Sequence, residues 1–245
     1  MKYILQDKNY ALGNFINVTP VIKYLFETTE ERVNVFFETE YVKECYKNSP
    51  YINILETKPH HLPFCSSSLI NKANTRPDYQ FVFKTIIGED WTNKYKPFVD
   101  DIIIDSTLMP KKYVVIINGS GSENETYVDS KNPGNLIYNQ IVKDLELRGY
   151  TTYFTGSQND FDRSIIFTDE DWIGDIQLSL ALINGADLII TNDTGLCHCA
   201  GCYDKNQFIL WKDTKFEKNK NSGINSFYSQ KGNWSEDYKK WIETV

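Results

Sequence analysis

The feature that most constrains this chain is residues 186–200, ADLIITNDTGLCHCA. Leu188-Ile189-Ile190 is a continuous apolar run, the pattern of a strand buried on both faces. A polar turn follows, and residues 196–202 read as the start of a helix. A strand, a tight turn holding Gly195 and an opening helix form an anion-binding device. Glycine lets the backbone approach a ligand closely, and the N–H groups of the first helical turn point at it. Either Asp193 or Thr194 can cap the helix, since both side chains accept a bond from an N–H further along. The same pattern also suits any capped helix after an α/β strand, so the rest of the chain has to be read independently.

Taken in order, the sequence predicts a short strand at 2–6 and a turn at 7–13. Residues 14–26 carry Phe15, Ile16, Val18, Ile22, Leu25 and Phe26 at helical spacing, with the regular helix starting near Thr19 so that Pro20 falls in its first turn. Strands are expected at 32–37 and 51–55, with a helix at 39–47 between them. Residues 59–74, with His60, His61 and Pro63, read as loop; 79–84 alternates like a strand, and 101–105 reads as another. Residues 106–112, with Pro110 and two lysines, look like a linker. The pattern then restarts. A buried strand at 113–118 leads into Asn118-Gly119-Ser120-Gly121, and 123–132 is polar loop. A helix spans 133–148 with Leu136, Ile137, Ile141, Leu145 and Leu147 apolar and Gly149 stopping it. A strand at 151–155 closed by Gly156, an extended piece at 165–166, a helix at 175–185, a strand at 207–211 and a terminal helix at 235–243 complete the reading. Repeated strand–helix–strand order implies parallel sheets with crossover helices.

Composition narrows the function. The chain has 245 residues, 41% hydrophobic and 24% charged, with a net charge of -7. That balance is ordinary for a globular protein with a sizeable core and argues against non-specific nucleic-acid binding. Apolar runs are too short to span a membrane, and the N-terminus turns polar too early for a secretory signal, so a cytoplasmic protein is expected. Cys197, Cys199 and Cys202 crowd together beside His198. On a helix Cys199 lies about 200° around from Cys197, so the two do not face one ion, and reduced thiols packed as small hydrophobes are expected rather than a metal site.

Asn192-Asp193-Thr194-Gly195-Leu196-Cys197-His198, following Ala186 to Ile190, closely resembles the signature of the heptosyltransferase-like glycosyltransferases, family 9. There a hydrophobic strand is followed by Asn-Asp-Thr-Gly, two residues and a His at the head of a helix, and the turn cradles the pyrophosphate of a nucleotide-sugar donor. The resemblance extends to Gly13-Asn14, where the family has Gly-Asp, and to Thr19-Pro20, a family Thr-Pro. It also extends to Ile117-Asn118-Gly119-Ser120, where the family opens its second half with a small-residue turn. The resemblance implies an α/β protein of the GT-B class, two Rossmann-like α/β/α domains with a cleft between them. The boundaries would be 1–107 for a compressed acceptor-side domain and 108–230 for the nucleotide-sugar domain. A terminal helix, 231–245, has the option of packing back on the N-terminal domain.

The implied activity moves a hexose or heptose from a nucleoside-diphosphate sugar to a saccharide acceptor, inverting and without metal or cofactor. Such a transfer must stabilise charge on the departing diphosphate and take a proton from the acceptor hydroxyl. The backbone N–H groups of Thr194, Gly195 and Leu196 are the candidates for the pyrophosphate, with Asn118, Gly119 and Ser120 nearby and Lys131 where the family supplies a cation. Asp193 is either a hydroxyl ligand of the donor sugar or a cap, and His198 either faces the ligand or positions the helix. Gly13 lies on the acceptor side. The base is the departure: the family's catalytic Asp is replaced by Asn14, and an amide accepts no proton near neutral pH. Either Asp7, Glu38, Glu40, His60 or His61 takes over, or positioning alone supports slow transfer, or the protein is a non-catalytic nucleotide-sugar or glycan-binding module. A dinucleotide oxidoreductase is disfavoured, since neither 9–13 nor 119–121 gives G-x-G-x-x-G directly after a strand.

Overall fold

The computed structural model describes residues 3–7, 12–60, 78–103, 105, 107, 109–118, 135–156, 172–211, 225–230 and 232–245. They fall into two compact units that divide between Asp100 and Asp101.

The first unit is built on a three-stranded parallel sheet in the order β1 (Tyr3–Gln6), β2 (Val33–Phe37), β3 (Ile52–Ile54). Between β1 and β2 lie α1 (Leu12–Ile16) and α2 (Thr19–Thr29). The predicted start at Thr19 holds, with Pro20 in the first turn, where its missing N–H leaves no gap in the helix. The Thr19 hydroxyl donates to the Ile16 carbonyl at 2.8 Å and accepts the Phe98 N–H at 3.0 Å, so the bend between the two helices is bonded on both sides. Helix α3 (Glu40–Glu44) connects β2 to β3. The core is aromatic: Phe15 sits edge-on to Phe37 and Tyr46, each pair with ring centroids 5.1 Å apart.

Two expected strands are corrected here. Tyr79–Ile87 is a helix, α4, because Asp78 caps it by accepting the Phe81 N–H at 2.7 Å and Gly88, at φ 84°, ends it in the left-handed region. Its Val82 and Phe83 are buried, and Phe83 packs edge-on to Tyr24 of α2 at 5.5 Å. The described residues of 101–105 form no strand.

The second unit carries a six-stranded parallel sheet. Its strands are β4 (Tyr113–Asn118), β5 (Thr151–Gly156), β6 (Trp172–Ile173), β7 (Leu188–Asn192), β8 (Asn206–Trp211) and β9 (Ser226–Gln230). The spatial order is β6-β5-β4-β7-β8-β9. Both faces are covered, which is why β4 and β7 read as continuous apolar runs rather than alternating ones. On one face Val114, Ile116, Leu188, Ile190 and Phe208 pack under α5 (Asn135–Leu147) and α8 (Trp234–Ile242). On the other, Val115, Ile117 and Ile189 pack under α6 (Ile176–Gly185) and α7 (Gly195–Cys202).

The helical stripe of α5 differs from the expected one. Ile137, Tyr138, Ile141, Val142 and Leu145 are buried, whereas Leu136 and Leu147 point to solvent, since both lie off that face at 100° per residue. The terminal helix places Tyr238, Trp241 and Ile242 in the core of the second unit. Strand β9, Ser-Phe-Tyr-Ser-Gln, and the short β6 are additions that the sequence does not lead one to expect.

Candidate functional site

In an open α/β sheet, ligands bind outside the carboxyl ends of the strands where the strand order reverses. Here the first strand of the second unit, β4, has β5 on one side and β7 on the other, so the reversal lies between β4 and β7. The register pairs Ile117 with Thr191, which sets Asn118 and Asn192 side by side at the carboxyl edge. The Asn192-Asp193-Thr194-Gly195 turn therefore leaves the sheet at the point that fold geometry reserves for a ligand.

Polar groups gather at this edge. Asn118, Thr191 and Asn192 are wholly buried and Asp193 is 9% exposed. The Thr191 hydroxyl donates to the Asn192 carbonyl at 2.9 Å, fixing the turn that follows. Thr194 is the cap of α7: its backbone is extended and its hydroxyl accepts the Cys197 N–H at 3.4 Å. Between the two possible caps the structure thus selects Thr194. The Asp193 carboxylate instead faces His198, with Oδ1 3.9 Å from Nε2 and both side chains nearly covered. Gly195 and Leu196 supply the first helical N–H groups; the Leu196 side chain packs into the core below them. A helix N-terminus carries partial positive charge, so an anion placed there is stabilised without a metal.

The neighbouring strand end is shaped by a glycine. Gly156 pairs with Asn118 and has φ 116°, and a Cβ on it would run into the Asn118 carbonyl oxygen. Behind it the Thr155 and Ser179 hydroxyls lie 2.6 Å apart in the core, and Ser179 also donates to the Asp175 carbonyl at 2.7 Å. Asp175 caps α6 by accepting the Leu178 N–H at 2.7 Å. These bonds tie the β5 exit to the head of α6. At the opposite end of the sheet, the Tyr113 N–H donates to the Asp187 carboxylate at 2.8 Å and the Asp187 N–H returns to the Tyr113 carbonyl at 3.1 Å, fixing β4 against β7. Burial raises the Tyr113 hydroxyl to about 12, so it stays protonated and donates to the Leu182 carbonyl at 3.0 Å.

Of the expected donor-side residues, Asn118, Asp193, Thr194, Gly195, Leu196 and His198 meet at this edge. Gly119, Ser120 and Lys131 lie outside the described residues. Among the described residues, no group of three or more His, Cys, Asp and Glu side chains is placed to hold a metal ion. Cys197 and Cys199 are buried, and desolvation raises the partly exposed Cys202 thiol, which disfavours its thiolate.

The first unit has a carboxyl edge of its own. Gly13 is buried and Asn14 half-buried on α1, between β1 and the start of α2. The Gln6 side chain, wholly buried at the end of β1, donates to the Asp7 carbonyl at 2.7 Å and the Thr39 hydroxyl at 3.3 Å, and accepts the Thr39 N–H at 3.1 Å. Glu38 leaves β2 beside it, its N–H on the Gln6 carbonyl at 3.1 Å and its carboxylate paired with Lys58. Glu40 is 74% exposed and paired with Lys43, His60 is exposed, and His61 lies outside the described residues. Sequence reading missed Gln6 and the Thr155–Ser179 pair. The available signal was a polar residue inside an otherwise apolar strand or helix.

Comparison with known proteins follows the same line. The family described as glycosyltransferase family 9 (heptosyltransferase) matches residues 89–239. No curated protein sequence matches the chain. Among solved structures, E. coli ADP-heptose lps heptosyltransferase II superposes with a TM-score of 0.69 at 10% identity, over 100% of this chain and 99% of that one. E. coli heptosyltransferase WaaC with ADP gives 0.70 at 10%, again over 100% and 99%. A family 9 glycosyl transferase from Veillonella parvula gives 0.64 at 12%, over 100% and 89%. At such identities the likeness establishes the fold, that of the GT-B heptosyltransferases.

Proposed function

The chain belongs to glycosyltransferase family 9, and from that premise we propose that it moves a hexose or heptose from a nucleoside-diphosphate sugar to a saccharide acceptor, with inversion and without a metal. The observation that carries this reading is the Asn192-Asp193-Thr194-Gly195 turn at the strand-order reversal of the second unit, capped by Thr194. In this reading the N–H groups of Thr194, Gly195 and Leu196 bind the donor diphosphate. They are worth most late in the reaction, as the departing group gains charge. Asn118 ends the neighbouring strand, and Gly119, Ser120 and Lys131 are assigned to the donor phosphates on the resemblance alone. Asp193 orients a hydroxyl of the donor sugar. The 3.9 Å approach of His198 supports a role in holding Asp193 and the turn.

The acceptor oxygen attacks the anomeric carbon from the face opposite the diphosphate, and the bond to the β-phosphate oxygen breaks. Since E. coli heptosyltransferase WaaC has been solved both with ADP and with ADP-2-deoxy-2-fluoro heptose, ADP-heptose is the first donor to try. The alternative, a non-catalytic nucleotide-sugar or glycan-binding module, draws its support from the resemblance, which sets Asn14 at the position of the family's catalytic Asp. Incubation with ADP-heptose, UDP-glucose and GDP-mannose and a panel of methyl glycosides separates the two. Release of nucleoside diphosphate with an inverted anomeric centre by NMR supports transfer. Tight nucleotide binding with no release from any pair supports the module.

A further inference from the structure

Asp193 brings a negative charge to the turn that is to hold a diphosphate. Thr194 caps α7, and the Asp193 carboxylate faces His198, with Oδ1 3.9 Å from Nε2 and the two side chains 11% and 13% exposed. A covered carboxylate costs free energy unless it is paired. His198 lies three residues along α7 from Gly195, about 5 Å along the helix axis. A diphosphate on the first N–H groups of the helix therefore sits within the roughly 10 Å over which charges act through salt solution. A neutral imidazole leaves the Asp193 charge standing against that ligand. An imidazolium cancels it, and the positive end of the helix then acts on the diphosphate unopposed.

The surroundings leave this task to His198. Helix α6 and strands β7 and β8 pack against α7, and none of the three carries an Asp, Glu, Lys, Arg or His. The Asp175 carboxylate, at the head of α6, accepts the Leu178 N–H. Asp187, Asp204 and Lys205 precede β7 and β8, at the opposite edge of the sheet. The remaining titratable groups nearby are the thiols of α7 itself and the phenol of Tyr228, which packs with Cys197 and Ile209. Histidine is also the side chain that ordinarily changes charge between about pH 5 and about pH 8.

We propose that donor binding is coupled to protonation of His198, the diphosphate and the Asp193 carboxylate together drawing one proton from solvent onto the imidazole. This rests on the donor-site reading above and adds to it a control by pH. The proton returns to solvent when the nucleoside diphosphate leaves. A proton gained on binding makes the affinity fall as pH rises.

The test uses the full chain and ADP-heptose, with UDP-glucose and GDP-mannose as replacement donors. Each phosphate of such a donor has two bridging oxygens and keeps one charge throughout, so a proton taken up belongs to the protein. The chain has three histidines, so His60→Gln/His61→Gln leaves one imidazole, whose ring resonances report His198 directly by NMR. Saturating donor should raise its titration midpoint by about one pH unit. Calorimetry of the parent should then find binding about tenfold tighter at pH 5.5 than at pH 8.5, with a heat near neutrality that varies with the ionisation enthalpy of the buffer. His198→Gln, folded by circular dichroism, should show neither the proton uptake nor the pH dependence, a loss that a merely structural histidine would not produce. A midpoint unmoved by saturating donor, or a pH dependence that survives in folded His198→Gln, overturns the coupling and leaves the donor-site reading standing. No saturable binding of any of the three donors at any pH overturns both.

Discussion

Asp100, the last residue of the first unit, is 4% exposed, and its carboxylate accepts the Asn48 N–H at 2.6 Å while its own N–H reaches the Cys45 carbonyl at 2.9 Å. Burial lifts its carboxyl from the ordinary 3.8 to about 6, opposed by the Asn48 bond and reinforced by Glu44. A carboxyl raised in the folded state favours the protonated form there. The folded chain therefore loses stability as pH climbs from about 4 to about 6 and loses no more above that. A rise of about two pH units, at about 1.4 kcal/mol for each, sets the penalty near neutrality at roughly 2–3 kcal/mol. Asp100→Asn keeps an oxygen for the Asn48 N–H and removes the charge. It should match the parent at pH 4 and exceed it by about 2 kcal/mol at pH 7.5, read from urea unfolding midpoints at the two pH values. An equal difference at both pH values, or a variant less stable at pH 7.5, would refute the argument that desolvation of this carboxylate dominates.

Gly156→Ala should destabilise the second unit by about 3 kcal/mol or more, since it combines a left-handed backbone with a Cβ against the Asn118 carbonyl; thermal melting measures it, and a melt unchanged from the parent would contradict the close approach. Asn14→Asp tests the proton acceptor of the proposed transfer. With donor and acceptor held in line and only the base lacking, it should raise steady-state release of nucleoside diphosphate by about 10²-fold or more. An unchanged or lower rate would show that another group takes the proton.

The strand, turn and capped helix at 188–202 were legible because their signals are local and redundant. Leu188-Ile189-Ile190 is apolar throughout since helices cover both faces of β7, and Thr194-Gly195 marks its own turn. Asp193 and Thr194 are equal as caps on paper, and only the backbone conformation of Thr194 separates them. The failures have equally specific causes. Tyr79-Gln80-Phe81-Val82-Phe83 alternates like a strand, but one capping carboxylate at Asp78 and the packing of Phe83 on Tyr24 make it a helix. That is tertiary context overriding β-propensity. Strand β9 has too few apolar residues to be recognised and exists because Phe227 stacks on Phe208, with centroids 5.8 Å apart. The edge of the first unit was the least legible part, because Gln6 and Glu38 meet only through the pairing of β1 with β2, across about thirty intervening residues.

The central claim is that the turn after β7 binds the donor diphosphate through its backbone. Isothermal titration of ADP into the parent chain and into Gly195→Val tests it most directly, with circular dichroism confirming that the variant is folded. A β-branched side chain at Gly195 occupies the space the phosphates need. The account predicts saturable one-site binding by the parent and its loss in the folded variant. Equal affinity in both would remove the turn from the donor site and contradict the account.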